Sequence, residues 1–160
     1  MSVEVVYSSI LTVKETLDSG VTFISSPVVT HDGLSVGGEF NATSTPPATK
    51  VASGTATLSS GAATINLASL TGPGGGTVDF TGLKVQFVKL KNPSANNITL
   101  TPGASNGIDL FGASSSLTVP PGGEVMMKFA DQGPDVASGD RTIDLAGTGS
   151  QTLQYLFVAG

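Results

Sequence analysis

The sequence contains no cysteine and no tryptophan among its 160 residues. Because cysteine is absent, the chain has neither a disulfide framework nor a thiolate metal site, and cysteine usage indicates no redox compartment. Aromatic residues make up only 6% of the chain. Sites that bind sugars by stacking them on aromatic rings are therefore poorly supplied.

Charged residues are also scarce, at 12%, and the net charge is −5. The seven lysines and arginines are scattered from Lys14 to Arg141. They form no basic cluster, so we expect no nucleic-acid partner. No apolar run approaches the roughly 20 residues that span a bilayer, and the first residues lack the basic and apolar regions of a signal peptide. We expect no membrane partner, and synthesis in a cytoplasm.

Short strand-like runs separated by turn residues are the main positive signal. Apolar residues make up 39% of the chain and glycine contributes 21 residues, while no stretch repeats apolar residues at helical spacing over three turns. The runs predict one antiparallel β-sandwich domain over residues 1–160, with eight or more short strands and minimal helix. Residues 1–18 are either an edge strand of it or an N-terminal arm. The predicted strands lie at 3–7, 10–15, 21–24, 28–30, 49–58, 63–67, 83–91, 97–100, 117–129 and 141–158.

Two turns can be predicted from their chemistry. The segment Ser59-Ser60-Gly61 can close a hairpin between the strands on either side of it, because glycine tolerates the positive φ of tight hairpin turns. Pro121 and Gly122 suit the two central positions of a type II turn that folds the 117–129 run in its middle. In the second half of that run, Met126 and Met127 are expected to pack within a strand.

Two strands carry apolar residues on both faces. In the 83–91 run the apolar positions change face between Phe87 and Val88, which predicts either a β-bulge or partial burial of both faces. In the last strand, Leu156 and Val158 lie on one face. The opposite face carries Leu153, Tyr155 and Phe157. Such a strand belongs inside a sandwich or under a partner subunit.

Few residues have the chemistry of a functional site. His31 is the only imidazole, and no Gly-x-Ser-x-Gly turn accompanies it, so it is interpreted as a turn residue at a strand end. Asp131, Asp135 and Asp140 lie within ten residues of loop but lack the spacing of a calcium-binding loop. They are interpreted as solvated carboxylates, and a calcium site there stays open. We expect no catalytic residue, no cofactor and no resident metal, and a protein that is not an enzyme.

From about residue 63 to its end, the chain resembles a group of small structural proteins encoded by tailed phages. The resemblance depends on the order and spacing of several short motifs rather than on any one of them. These motifs are Val-Gln-Phe-Val-Lys-Leu-Lys-Asn at 85–92, Asn-Ile-Thr-Leu at 97–100, Ser-Asn-Gly at 105–107, Val-Pro-Pro-Gly-Gly-Glu-Val at 119–125, Pro-Asp-Val-Ala-Ser-Gly at 134–139 and Phe-Val-Ala-Gly at 157–160.

The resemblance implies a virion protein with a jelly-roll or related β-sandwich fold, of the type that decorates or cements a capsid from outside. The implied partners are the major capsid protein and copies of the chain itself. A homotrimer at local three-fold positions would match the symmetry of a shell. The implied location is the virion, after synthesis in the host cytoplasm. The alternative is a receptor- or glycan-binding module of a phage tail or fibre, which would use the loops at 72–77 and 131–141.

Overall fold

The computed structural model describes residues 3–16, 28–33, 35–72, 75–129 and 132–160. These residues contain fourteen β-strands that pair antiparallel and no α-helix, which confirms the prediction of an antiparallel all-β fold. The strand predicted at 21–24 lies outside the described residues. The strands are β1 (Glu4–Ser9), β2 (Val13–Thr16), β3 (Val28–His31), β4 (Val36–Asn41), β5 (Lys50–Thr57), β6 (Ala62–Asn66), β7 (Leu70–Thr71), β8 (Thr77–Val78), β9 (Val85–Lys91), β10 (Ile98–Pro102), β11 (Leu117–Val119), β12 (Glu124–Lys128), β13 (Thr142–Ala146) and β14 (Thr152–Ala159).

Eight of the strands form two four-stranded sheets. Sheet 1 has the order β12-β9-β14-β5, and sheet 2 has the order β11-β10-β13-β6. The pairing is nested along the chain, because β5 pairs with β14, β6 with β13, β9 with β12 and β10 with β11. A long antiparallel ribbon rolled up in this way across two sheets is a jelly roll. The expected jelly-roll-like sandwich is therefore confirmed.

The main core lies between the two sheets. Successive residues of a strand point to opposite faces, so alternate apolar residues of each strand meet in the middle. Sheet 1 contributes Phe157 from β14 and Leu90 from β9, and sheet 2 contributes Leu100 and Leu145; all four belong to one buried cluster. Burial of these side chains is the main force that holds the sheets together.

The rolled ribbon passes from one sheet to the other at corners. At the first corner Ser60 and Gly61 both have positive φ, at 53° and 84°, so the predicted tight turn is present. The hairpin predicted between the flanking strands is wrong. Only the bridge between Ser59 and Ala62 joins them at the turn; beyond it β5 and β6 diverge into different sheets, where β5 pairs with β14 and β6 with β13. Gly61 instead bonds across the corner: its N–H donates to Gly149 O and its carbonyl accepts from Gly147 N–H, both at 2.8 Å.

The second corner is built around Asn92, which is fully buried. Its side-chain amide donates to the carbonyls of Asn96, at 2.8 Å, and Val119, at 2.9 Å. Its main chain accepts from Gly122 N–H at 2.8 Å and donates to Gly123 O at 3.0 Å. Gly122 has a φ of 70°, as the predicted type II turn requires. One buried amide thus joins β9 to the turn between β11 and β12.

The apolar residues of β9 face both ways, and both explanations offered for this hold. Val88 points into the main core, whereas Phe87 points out of sheet 1 and is also buried. The register against β14 shifts between Val158, opposite Phe87, and Ala159, opposite Val85. That shift is a β-bulge.

The N-terminal strands form a separate two-stranded ribbon. β1 pairs with β4, from Glu4 opposite Asn41 to Ser9 opposite Val36. β2 pairs with β3 farther along the same two segments, up to Thr16 opposite Val28. The alternatives for residues 1–18 were an edge strand or an arm. The described part of residues 1–18 forms one side of this ribbon, and β3 and β4 form the other.

Candidate functional site

His31 lies on the ribbon, as the last residue of β3. Its Nε2 is 3.5 Å from Glu15 Oε2 on the paired strand, and both side chains are more than half exposed. The sequence prediction of a strand-end residue agrees with this position. The pair can form an exposed ion pair when the imidazole is protonated.

The acidic loop at 131–141 makes local contacts in its described part. Asp135 Oδ1 lies 3.7 Å from Lys84 Nζ, and main-chain hydrogen bonds join Asp140 to Ala137. Asp131 lies outside the described residues. Among the residues that the structure describes, no three His, Cys, Asp or Glu side chains come together as metal ligands.

The base of the ribbon packs on the outer face of sheet 1 and forms a second core. Its aromatic centre contains three rings: Tyr7 and Phe40 from the ribbon, and Phe87 from β9. The centroid of Tyr7 is 6.0 Å from that of Phe87 and 6.3 Å from that of Phe40. These distances suit tilted and edge-to-face aromatic contacts. Val3, Ala48 and Val158 complete the buried part of this cluster.

Lys128 and Gly38 fit around the same rings. Lys128 Nζ lies 5.2 Å from the ring centroid of Tyr7 and 5.7 Å from that of Phe40. Cation–π contacts of this kind contribute about 0.5–1 kcal/mol at exposed sites. Gly38 is opposite Tyr7, and a Cβ there would lie 2.9 Å from the Tyr7 hydroxyl. The glycine therefore makes room for the ring that holds the ribbon to sheet 1.

The distal half of the ribbon contacts nothing else in the described part of the chain closely enough to bury it. Every residue of β2 and β3 is exposed. Ile10 and Leu11, which follow β1, are 78% and 53% exposed. The other large apolar side chains exposed on the ribbon are Val13, Val28 and Val29 on the distal half, and Val6 and Val36 on β1 and β4. Large apolar groups concentrated in this way indicate an interaction surface.

The ribbon base covers only one half of the outer face of sheet 1. In the uncovered half, the register places Met126, Lys89 and Leu156 side by side, with Glu124 and Lys91 in the next outward row. Met126 is 36% exposed, so the prediction that it packs within the strand is wrong: its position opposite Lys89 turns it outward. A depression of about 220 Å³ lies on this half and includes Lys89, Lys91 and Leu156 in its lining.

Glu124 joins the two lysines of this uncovered half. Its carboxylate is 2.8 Å from Lys91 Nζ and 3.6 Å from Lys89 Nζ. The hydrogen bond from Lys91 is the main cause that lowers the pKa of Glu124, and the charges of Lys91 and Lys89 lower it further. The carboxylate stays ionised and neutralises one of the two ammonium groups. One net positive charge remains beside Leu156.

A second depression, of about 430 Å³, lies beside β5. Its apolar lining includes Val3, Val51 and Val78. Lys50, also in the lining, donates a 2.5 Å hydrogen bond to the carbonyl of Asp79. The Asp79 carboxylate accepts from Thr81 N–H at 2.8 Å, and hydrogen bonds from Thr81 lower its pKa. The polar groups of Lys50 and Asp79 in this depression are therefore occupied by local contacts.

The ribbon is not predictable from the sequence pattern, because β4 gives no strand signal. Gly37 and Gly38 interrupt the strand pattern there, since glycine weakens strands and is rare inside them. The only available signal was that valines recur on both sides of residues 17–27, at 3–13 and 28–36. A long hairpin would bring such segments together.

No helix in the described ranges is long and apolar enough to cross a membrane. A scan against protein-family models, a search of curated proteins and a search of solved structures each found no match to the chain.

Proposed function

We propose that the chain is a structural virion protein that binds the outer surface of a phage capsid and stabilises it, as decoration and cement proteins do. The observation that carries this proposal is the exposed apolar ribbon, fastened by its base to a closed jelly roll. The sandwich buries its own apolar residues between two sheets, whereas the ribbon leaves seven large apolar side chains exposed.

Physical chemistry supports an assembly role for this arrangement. An isolated two-stranded ribbon is marginally stable in water, so a partner that covers its apolar residues also orders it. On a symmetric shell many copies bind at once, and effective concentration turns modest contacts into stable attachment. The motif order from residue 85 to the end of the chain supports the same role, through its likeness to phage structural proteins.

The proposed partners are the major capsid protein and copies of the chain itself. A homotrimer at local three-fold positions remains part of the proposal because it matches the symmetry of a shell. The proposed location is the virion surface, after synthesis in the host cytoplasm. The proposed role is not enzymatic: the chain would act through its surfaces, without a cofactor.

The test is to purify tailed-phage particles assembled from the genome that encodes the chain. Mass spectrometry should find the chain in stoichiometric amount, and particle imaging should place it outside the capsid. Particles assembled with Ile10→Ser in the ribbon should bind less of it and release their DNA at lower temperature. Thr118→Ser, on the exposed outer face of sheet 2, is the matched control. Particles that lack the chain altogether would overturn the proposal.

The tail or fibre alternative makes a different prediction. It requires the loops at 72–77 and 131–141 to bind a receptor or glycan, whereas Asp135 already contacts Lys84 in the described part of the second loop. Calcium-dependent binding on a glycan array, together with imaging that places the chain on the tail, would replace the capsid proposal.

A further inference from the structure

We infer that the distal half of the ribbon docks on the uncovered half of the outer face of sheet 1 in a second copy of the chain. The inference does not rest on capsid binding, because it concerns two surfaces of this chain alone. It names the partner of one face of the distal ribbon, which carries Val13 and Val29, and the face that receives it.

The uncovered half of the outer face of sheet 1 continues an interface that already exists. Within one chain, the ribbon base covers the half of the sheet 1 outer face that carries Phe87 and Val158. The other half continues along the same strands, β9 and β14, through Lys89 and Leu156. It thus presents the same backbone surface to a second ribbon segment. Leu156 is only half-buried at the margin of the covered half.

The distal ribbon and the uncovered half of sheet 1 match in their apolar groups and in their charges. The register places Val13, Glu15, Val29 and His31 on one face of the distal ribbon. That face combines two valines with the Glu15 carboxylate, which lies beside the His31 imidazole. The uncovered half of sheet 1 combines two apolar side chains, Met126 and Leu156, with Lys89, Lys91 and Glu124, which together leave one net positive charge. Apolar groups can therefore meet apolar groups while opposite charges meet beside them.

Acidic and basic residues are unevenly distributed along the chain. Residues 1–41 hold five of the twelve acidic residues but only one of the seven basic residues. The four of these acids that the structure describes, Glu4, Glu15, Asp32 and Glu39, are all exposed. The uncovered half of the sheet 1 outer face carries Lys89 and Lys91 against Glu124 alone, because Lys128 lies over the rings of the ribbon base. An acidic ribbon and a basic face favour contact between copies over contact between two identical ribbons.

The geometry limits the assemblies that this contact can build. The ribbon and its receiving face are different surfaces of the chain, so copies either exchange ribbons reciprocally in a two-fold dimer or pass them head to tail around a ring. The part of the ribbon beyond β1, from Ile10 to Thr16, is roughly 23 Å long when extended, which is enough to lie on a sandwich placed beside it.

The absence of cysteine makes disulfide trapping a direct test. Two variants, Val13→Cys and Met126→Cys, are purified separately, mixed and oxidised mildly. We expect a disulfide between the two chains. A mixture of Val13→Cys with Thr118→Cys, on the outer face of sheet 2, is the control and should give only background. A chain that carries both Val13→Cys and Met126→Cys should form covalent oligomers.

A charge swap tests the same contact without cysteine. Sedimentation across a concentration series should show a dimer or a ring for the natural chain. Glu15→Lys and Lys89→Glu should each weaken association about tenfold, because each places like charges opposite each other. The two changes in different copies of a mixture should restore it. Far-ultraviolet circular dichroism checks that each variant keeps its sheet content.

Three results would overturn the inference. The natural chain could remain a monomer at every concentration. Val13→Cys could react with Thr118→Cys as readily as with Met126→Cys. The doubly substituted chain could close its disulfide within one molecule. A chain that exchanges ribbons yet is absent from virions would overturn the proposed function and leave this inference standing.

Discussion

Phe40 tests whether the ribbon is docked on the sandwich as a separable unit. The side chain is 3% exposed and contacts the rings of Tyr7 and Phe87. Phe40→Ala should remove about 3–5 kcal/mol of packing free energy. This is large beside the stability of an isolated two-stranded ribbon, which is marginal. We therefore expect the ribbon of the variant to detach from sheet 1.

Detachment sets a ceiling on the loss of global stability. Once the ribbon has left sheet 1, the missing ring costs nothing more, and the sandwich core that contains Phe157 is untouched. The free energy of unfolding of the sandwich should fall only by the docking free energy. Phe157→Ala is the matched control, because Phe157 is fully buried between the sheets. It should cost the full amount of about 3–5 kcal/mol.

Hydrogen exchange and urea unfolding separate these outcomes. In Phe40→Ala, amides of β1 and β4 should lose protection while those of β14 keep it. In Phe157→Ala, protection should fall in both places. Equal losses of unfolding free energy in the two variants, with equal loss of protection in β14, would show that ribbon and sandwich unfold together. That result would refute the reasoning.

Four further changes test other parts of the structure. Asn92→Ala removes the side-chain donor of the buried Val119 carbonyl, whereas the Asn96 carbonyl keeps its bond from Gln151 Nε2; the change should cost about 1–3 kcal/mol in urea unfolding, and Asn66→Ala at the end of β6 should cost less. Lys128→Met should loosen the ribbon base by about 0.5–1 kcal/mol, measured by exchange of the β4 amides, while Lys84→Met should leave them unchanged. Gly38→Val should displace the Tyr7 ring and expose β1 to protease, although valine is the better strand residue; an unchanged cleavage rate would contradict the close contact. Glu124 should titrate below the usual glutamate pKa in carboxyl NMR. The stability that its carboxylate contributes is therefore present above that usual value and is lost as the pH falls through the lowered pKa. Lys91→Met should raise the pKa of Glu124, and identical titration curves of the two proteins would exclude the hydrogen bond.

The sandwich was predictable from sequence because its signals are local. Alternating apolar residues mark its strands, and Gly61 and Gly122 mark two turns by their tolerance of positive φ. Which strands pair is a long-range outcome. The turn at Ser60 predicts a hairpin when considered alone, but β14 and β13 compete as pairing partners and draw β5 and β6 into different sheets. Sequence spacing does not record that competition.

The candidate site was harder to predict for a related reason. Its receiving face is made by Lys89, Lys91 and Glu124, which resemble ordinary surface residues until the register aligns them. The ribbon depends on Gly38, whose lack of a side chain removes the strand signal and also admits the Tyr7 ring. Gly38 thus makes room for the Tyr7 ring and at the same time hides the strand pattern of β4 in the sequence.

The apolar outer face of the last strand connects the fold to the proposed assembly. A strand apolar on both faces belongs inside a sandwich or under a partner, and in β14 these two explanations apply to different residues. Val158 is buried beneath the ribbon base of its own chain, so no partner is needed to cover it. Leu156 lies two residues earlier on the same face, beside Lys89, and remains half-buried. The ribbon therefore leaves uncovered the part of the sheet 1 outer face that lies next to the part it binds. The ribbon of a second copy has the composition to cover that part.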